Sequence, residues 1–92
     1  MRLRELEHIF RVLSGRKRLE ILRLMLDGKS RAVGEVAVAV KLSLKSTSKH
    51  VILLAQVGLL DRRRGGFSVY YQLANDTPRY LEAVLRQIKA GK

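Results

Sequence analysis

Two stretches of the sequence concentrate side chains that can bind a nucleic acid. The segment SLKSTSKH, residues 43–50, holds Lys45 and Lys49 among short hydroxyl side chains and ends in a histidine. Further along, three consecutive arginines at positions 62–64 stand directly before two glycines. Ammonium and guanidinium groups neutralise phosphates, and small polar side chains can reach base edges without steric obstruction. The two stretches therefore predict contacts to the phosphates and bases of a duplex.

The charge balance of the whole chain agrees with this interpretation. The 92 residues include 19 lysines and arginines against 8 aspartates and glutamates, a formal charge of +11. An excess of this size implies a polyanionic partner, although a basic surface can also serve solubility alone. The sequence contains no cysteine, which excludes disulfides, thiolate metal ligands and thiol redox chemistry.

Length and apolar content predict one small globular domain over residues 1–92, because an apolar fraction of 47% is too high for a disordered chain. A core made from so short a chain is only marginally stable, so a second subunit is the expected source of further buried surface. No apolar run approaches the roughly 18 residues of a membrane span, and the start MRLRELEH lacks the apolar segment of a signal peptide. We therefore expect a cytoplasmic protein without a membrane partner.

Catalysis is not expected from these residues. A nucleophile needs a base beside it, and the chain has no cysteine, no acidic pair at a plausible spacing and no glycine-rich phosphate loop. We expect neither an enzyme nor a bound cofactor.

Apolar periodicity predicts three helices before the basic segment. The first runs from Leu3 to Leu13, and the second from about residue 15 or 16 to residue 26, with Ser14 as its N-cap and Gly28 as the left-handed residue after its end. A third, valine-rich helix is predicted from Gly34 to Val40. These helices must position the basic segment.

The basic segment itself is predicted to begin a fourth helix. Ser43 is a good N-cap and Gly58 a good C-terminal stop. One face carries the core residues Thr47, Val51 and Leu54, whereas the start of the other face carries Lys45, Ser46, Ser48 and Lys49. Such a helix end suits a DNA major groove, but an ordinary surface helix with solvated lysines has the same pattern.

The segment LLDRRRGGFSVYYQL predicts a β-hairpin that turns around Gly65 and Gly66. Alternation directs one row of its second strand to the core. Phe67 begins the same row near the turn and could instead lie exposed at the tip. The core row is Val69, Tyr71 and Leu73. The arginines Arg62, Arg63 and Arg64 would carry charge to the tip, where they can reach phosphates or a minor groove; alternatively, they only protect an edge strand from pairing.

A last helix is predicted after the hairpin, with Thr77 as its cap and Pro78 as its first residue. Its apolar stripe resembles the stripe of the first helix, and so small a domain cannot easily bury both. The stripe either contacts a second subunit or folds back on the chain's own core. Its residues are Leu81, Val84, Leu85 and Ile88.

Short helices followed by a basic hairpin describe a winged helix-turn-helix, an α+β, mostly helical fold. Residues 9–73 resemble the ArsR-type bacterial and archaeal repressors, a resemblance carried by FRVLSGRKRLEILRLM, VGEVAVAV, LSLKSTSKHVILLAQVGLL and GGFSVYYQL. The resemblance implies a homodimer in which residues 1–13 and 78–90 pair across a two-fold axis. The implied dimerisation residues are Leu3, Leu6, Phe10, Leu81, Val84, Leu85 and Ile88.

The sequence departs from the family where metal-sensing members hold their ligands. The equivalent segments here offer only Glu35 and Glu82, whereas zinc needs about four ligands, mostly His or Cys. We therefore expect no metal site and no metal inducer. Gly34 replaces a residue that often caps the third helix, so the phosphate contact of that residue is in doubt. Leu44 and Ile52 replace commonly polar residues; Leu44 could touch a thymine methyl group, and Ile52 could be merely exposed.

These observations together predict a dimeric DNA-binding regulator, most simply a repressor that occludes a promoter. The expected DNA contacts are the fourth-helix residues Lys45, Ser46, Ser48 and Lys49, supported by Thr47 and His50, and the hairpin residues Arg62, Arg63 and Arg64 on the flanking backbone. Two alternatives stay open: a winged-helix module that docks proteins, and an architectural protein that binds DNA or RNA without sequence preference.

Overall fold

Five helices and three strands follow one another along residues 1–91, the part of the chain that this computed structural model describes. The elements are α1 (Leu3–Leu13), α2 (Arg16–Met25), β1 (Arg31–Ala32), α3 (Val33–Val40), α4 (Leu44–Gln56), β2 (Leu60–Gly65), β3 (Ser68–Leu73) and α5 (Arg79–Ala90). This order confirms the predicted α+β winged helix-turn-helix with a helix at either end.

The core lies where α2, α3 and α4 meet the base of the hairpin. The side chains that water does not reach come from each of these elements and form one cluster. They include Ile21, Leu22, Met25, Val36, Val51, Leu54 and Leu59. Burial of such side chains is the main source of stability in so small a chain, and it fixes α4 against α2 and α3.

The sheet has a strand that the sequence did not predict. Its order is β1-β3-β2, and the two residues of β1, Arg31 and Ala32, lie opposite Tyr71 and Tyr70 of β3. The Arg31 guanidinium donates to both carboxylate oxygens of Asp27, at 2.9 and 2.6 Å, and this ion pair holds β1 near the end of α2. Strand β1 covers the edge of β3 that a hairpin of β2 and β3 alone would leave unpaired.

Two predicted helix caps are wrong. Ser14 is the C-cap of α1, and its hydroxyl donates to the Arg11 carbonyl at 2.8 Å. The N-cap of α2 is Gly15. Thr77 likewise donates backwards, to the Ala74 carbonyl at 3.3 Å. In both cases the hydroxyl bonds a carbonyl three residues earlier, a local alternative to capping the following helix.

The start of α3 also differs from the prediction. The helix begins at Val33, its N-cap is Ala32, and the Ala32 backbone N–H donates to Glu35 Oε1 at 3.0 Å. Gly34 is therefore inside the first turn and is not the capping residue. Because the Glu35 side chain caps the helix from within its first turn, Gly34 has no capping role.

Candidate nucleic-acid interface

The first turn of α4 is fixed by the residue that precedes it. The Ser43 hydroxyl accepts a hydrogen bond from the Ser46 backbone N–H at 3.1 Å, as predicted for its N-cap. Thr47 is fully buried, and its hydroxyl donates to the Ser43 carbonyl at 2.9 Å. The first bond satisfies an amide of the helix start that would otherwise need water or a ligand. The second ties the buried Thr47 hydroxyl to the Ser43 carbonyl, which also accepts from the Thr47 backbone N–H at 3.0 Å. The start of α4 is therefore rigid before any partner binds.

The outer surface of α4 presents two lysines one turn apart. Lys45 and Lys49 are exposed and lie on the side of the helix opposite the buried Thr47 and Val51. Neither ammonium group forms an ion pair with a carboxylate of residues 1–91. The two positive charges are consequently free to bind an anion.

The polar residues beside these lysines face two different neighbours. Ser46 and His50 lie on the flank of α4 that approaches α2, where Arg18 Nη1 is 3.2 Å from His50 Nδ1. Ser48 and Ile52 lie on the other flank, where Ile52 lines a depression shared with the hairpin. A duplex lying along the outer surface of α4 would meet a different serine on each side.

His50 is a supporting residue in this geometry. Burial, and then the nearby Arg18 guanidinium, lower the pKa of the half-buried His50 imidazole below its ordinary value. The neutral ring can accept from Arg18 at Nδ1, which puts its own proton on Nε2. Through this contact the ring connects α4 to Arg18 of α2.

The hairpin brings only some of its arginines towards α4. Arg62 lies opposite the buried Tyr71, and Arg64 lies opposite Val69, so these two arginines share the side of the hairpin that faces the core and α4. Arg62 lines the depression that Ile52 and Gln56 of α4 also line.

Arg63 lies on the opposite side of the hairpin, across from Tyr70. Neighbouring residues of a strand point to opposite faces, so Arg62 and Arg64 share one face of the hairpin and Arg63 lies on the other. Contact of all three arginines with a DNA backbone stays a prediction.

The hairpin turns one residue later than the two glycines indicated. Gly65 is the last residue of β2 and lies opposite Ser68, so the two turn residues are Gly66 and Phe67. Gly66 has a φ of 60°, which a two-residue hairpin turn commonly requires at its first position. Phe67 is fully exposed at the tip, the second of the two positions that its place beside the turn allowed. A Cβ on Gly65 would lie 3.2 Å from the Tyr70 ring, so glycine there lets the ring cover the strand.

The turn between α3 and α4 contains an unusual backbone conformation. Lys41 has a φ of 58°, and among residues 1–91 it alone has positive φ without being a glycine. Its N–H donates to the Val38 carbonyl at 3.3 Å, and the Leu42 N–H donates to the Ala37 carbonyl at 3.0 Å. This is the hydrogen-bond pattern of a helix end that normally uses glycine at the left-handed position. An exposed lysine occupies that position, two residues before Ser43, the N-cap of α4.

The carboxylates of Glu20 on α2 and Asp61 on β2 are already engaged within the chain. Glu20 accepts from Lys17 at 3.0 Å and lies 3.6 Å from Arg16, and these lysine and arginine contacts lower its pKa. Asp61 of β2 lies opposite Gln72, on the same side as Arg63, and accepts from the Asn75 backbone N–H at 3.4 Å. No carboxylate therefore lines the depression between α4 and Arg62.

The structure gives the dimerisation residues two different environments. Leu3 and Phe10 on α1 are exposed, and Leu6 is half-buried. On α5, Leu81 is only 1% exposed and belongs to the core of its own chain, so its expected place on an exposed intersubunit stripe is wrong. Because α5 packs on α2, the other three residues of the predicted stripe are half-covered. These residues are Val84, Leu85 and Ile88.

Within residues 1–91 no group of three or more His, Cys, Asp or Glu side chains is close enough to hold a metal ion. None of the helices within these residues is long and apolar enough to span a membrane.

Similarity to known proteins bears on this geometry. No family model matches the chain. The chain is 30% identical over 80 residues to the arsenic resistance transcriptional regulator ArsR1 of Pseudomonas putida, with 87% of the chain and 62% of that protein aligned. It is 32% identical over 85 residues to the HTH-type transcriptional regulator KmtR of Mycobacterium tuberculosis, with 90% of the chain and 65% of that protein aligned. The chain thus spans less than two thirds of the length of either protein.

A solved structure shows the same architecture. The homodimeric winged helix-turn-helix DNA-binding domain of a possible ArsR-family transcriptional regulator from Mycobacterium bovis superposes with a TM-score of 0.77 at 27% identity. The match covers 96% of this chain and 78% of that one. Fold, sequence relatives and the arrangement of helix and hairpin agree: the chain has the winged helix-turn-helix fold and is similar in sequence to ArsR-type regulators.

Proposed function

We propose that this chain binds double-stranded DNA with sequence preference and regulates transcription. The observation that carries the proposal is the position of Arg62 beside the outer surface of α4, in a depression shared with Ile52 and Gln56. Cations of the helix and of the hairpin thereby form one continuous surface. A duplex presents a phosphate backbone on each side of a groove, so a helix in the major groove and a hairpin beside it neutralise adjacent backbones.

Each residue has a role in this arrangement. Lys45 and Lys49 bind phosphates, and Ser46 and Ser48 approach base edges from the two flanks of α4. Thr47 and His50 fix the helix from within the protein. Arg62 and Arg64 bind the flanking backbone, and Arg63 contributes only long-range attraction.

The active form in this proposal is a homodimer built on residues 1–13 and 78–90. Support comes from the exposed Leu3 and Phe10 of α1, from the half-covered apolar row of α5, and from the homodimeric state of the similar M. bovis domain. A two-fold axis would place two α4 helices about 34 Å apart, one helical turn of DNA. The site would be palindromic, and its occupation would repress by excluding other proteins from a promoter. No metal inducer takes part in this mechanism.

Selection of bound sequences from random duplex DNA at physiological salt tests the proposal. We expect a palindromic motif whose half-sites are about one helical turn apart. Binding without any motif would refute the sequence preference and support an architectural role. A failure to bind duplex DNA would overturn the proposal and support a docking module.

A salt titration tests the phosphate contacts of α4. Changing Lys49 to alanine should weaken binding to all sequences and reduce the slope of log K against log salt by about one unit. Lys29, an exposed lysine between α2 and β1, is the matched control, and Lys29→Ala should keep the wild-type slope. Equal slopes for Lys49→Ala and wild type would contradict the phosphate role of Lys49.

A further inference from the structure

The flank of α4 nearer the hairpin carries two large apolar side chains beside the row of lysines. Leu44 is 58% exposed and Ile52 is 45% exposed. They are eight residues apart with Ser48 midway, and each step of four residues advances only about 40° around a helix. The three side chains therefore form one stripe along α4. The Lys45 and Lys49 row lies immediately beside it.

The surroundings of the stripe restrict what can cover it. Ile52 shares its depression with Arg62 and Tyr71, and the residues that line this depression include no carboxylate. At the other end, Leu44 is the first residue of α4 and precedes Lys45. An apolar surface bordered by three cations fits a partner that presents apolar groups between rows of negative charge. The DNA major groove has this composition, because thymine C5-methyl groups lie between two phosphate backbones.

We propose that Leu44 and Ile52 recognise thymine methyl groups in the major groove, and that Leu44 makes the closer contact because it stands at the end of α4 that enters the groove. This inference rests on the proposed DNA binding and specifies which base is preferred. Ser48 lies between the two apolar side chains and can donate to a base edge, so the stripe combines two methyl contacts with one hydrogen bond.

Uracil is the direct probe, because a uracil that replaces thymine removes the methyl group and leaves base pairing unchanged. In a duplex that carries the selected sequence, thymines are replaced by uracil one position at a time, and affinity is measured for wild type and variants. Wild type should lose about fourfold at one or two positions, which corresponds to about 0.8 kcal/mol for one buried methyl group. Leu44→Ala should bind the thymine and uracil duplexes equally at one of these positions, and Ile52→Ala at the other.

Val38 supplies the control for these variants. It is an 81% exposed apolar residue on α3, outside the stripe, so Val38→Ala should retain the full uracil penalty. Circular dichroism should show unchanged helix content in all three variants, since each site is exposed. If wild type binds the selected sequence equally well with uracil at every position, this inference is overturned and the proposed function stands. Dissociation of the dimer by Leu44→Ala, with the uracil penalty retained, would also overturn it, because the stripe would then be an interface between copies. A protein that selects no sequence would refute both proposals.

Discussion

Arg18 of α2 and His50 of α4 are joined directly, with the guanidinium Nη1 3.2 Å from the imidazole Nδ1. The same guanidinium donates from Nε to the Val12 carbonyl at 2.5 Å and from Nη2 to the Arg11 carbonyl at 3.4 Å. One side chain thereby connects the end of α1 to the middle of α4. In the proposed dimer this contact links a dimerisation helix to the helix that lies on DNA.

The protonation of His50 should make stability depend on pH. Burial and Arg18 lower the pKa of His50 in the folded state, whereas the unfolded side chain titrates near 6.5. Between these two pKa values the unfolded chain binds more protons, so folding stability rises with pH. The free energy of unfolding should be constant above about pH 7.5 and should fall as pH decreases below about 6.5, by at most about 1.4 kcal/mol per pH unit.

Urea denaturation of wild type and His50→Gln between pH 5 and 8 measures this effect. The glutamine variant should lack the decline in this range, whereas His8→Gln, at an exposed position of α1, should retain it. Asp27 and Glu20 have lowered pKa values in the folded state, so their contributions are lost only at lower pH, from about 4.5 downwards. A wild-type curve that is flat from pH 5 to 8 would contradict the buried, neutral state of His50.

The parts of this structure that the sequence predicts are those set by neighbouring residues. Ser43 caps α4 through an amide three residues away, and Gly28, Gly58 and Gly66 adopt the positive φ that glycine permits at a turn or a helix end. The caps expected from Ser14 and Thr77 were wrong although they are equally local. A hydroxyl can bond a preceding carbonyl as well as a following amide, and residue type does not choose between the two.

Other features depend on residues that are distant in the chain. The two-residue strand β1 exists because β3 offers it an edge, and Arg31 has no strand signal of its own. The contact of Arg18 with His50 spans 32 residues. Helical spacing placed Leu81 on a stripe but could not tell which part of that stripe the same chain would cover. The predicted strand already implies that Arg63 points to the face opposite Arg62 and Arg64, because side chains alternate along a strand.

The left-handed Lys41 should reduce the stability of the free protein. A non-glycine residue in this conformation costs about 1–2 kcal/mol, and the greater flexibility of glycine in the unfolded chain offsets about half of this. Lys41→Gly should therefore increase the free energy of unfolding by about 0.5–1 kcal/mol. Lys45→Gly is the matched control: it removes the same charge from a helical residue and should decrease stability by about 1 kcal/mol. Denaturant unfolding that shows a loss for Lys41→Gly would mean that its side chain makes a stabilising contact.

The alternation of the hairpin arginines makes a prediction for DNA binding. Arg62 faces the side of α4, so Arg62→Ala should remove a phosphate contact and lower the salt slope of binding by about one unit. Arg63→Ala removes an identical charge from the opposite side of the same strand and should change the slope much less. Both residues are exposed, so neither change should unfold the protein. Fluorescence anisotropy across a salt series separates the two variants, and equal losses would show that both faces of the hairpin meet the backbone.

The proposed dimer can be tested with two apolar residues in different environments. Phe10 on α1 is 59% exposed, and Leu81 on α5 is 1% exposed. Phe10→Asp should give folded monomers, because the charge is introduced on the proposed interface and not in the core. Leu81→Asp should lose several kcal/mol of stability, because an unpaired carboxylate would be buried among core side chains. Analytical ultracentrifugation combined with circular dichroism distinguishes dissociation from unfolding. A Phe10→Asp protein that remains a folded dimer would place the subunit interface elsewhere on the molecule, with α1 free on its surface.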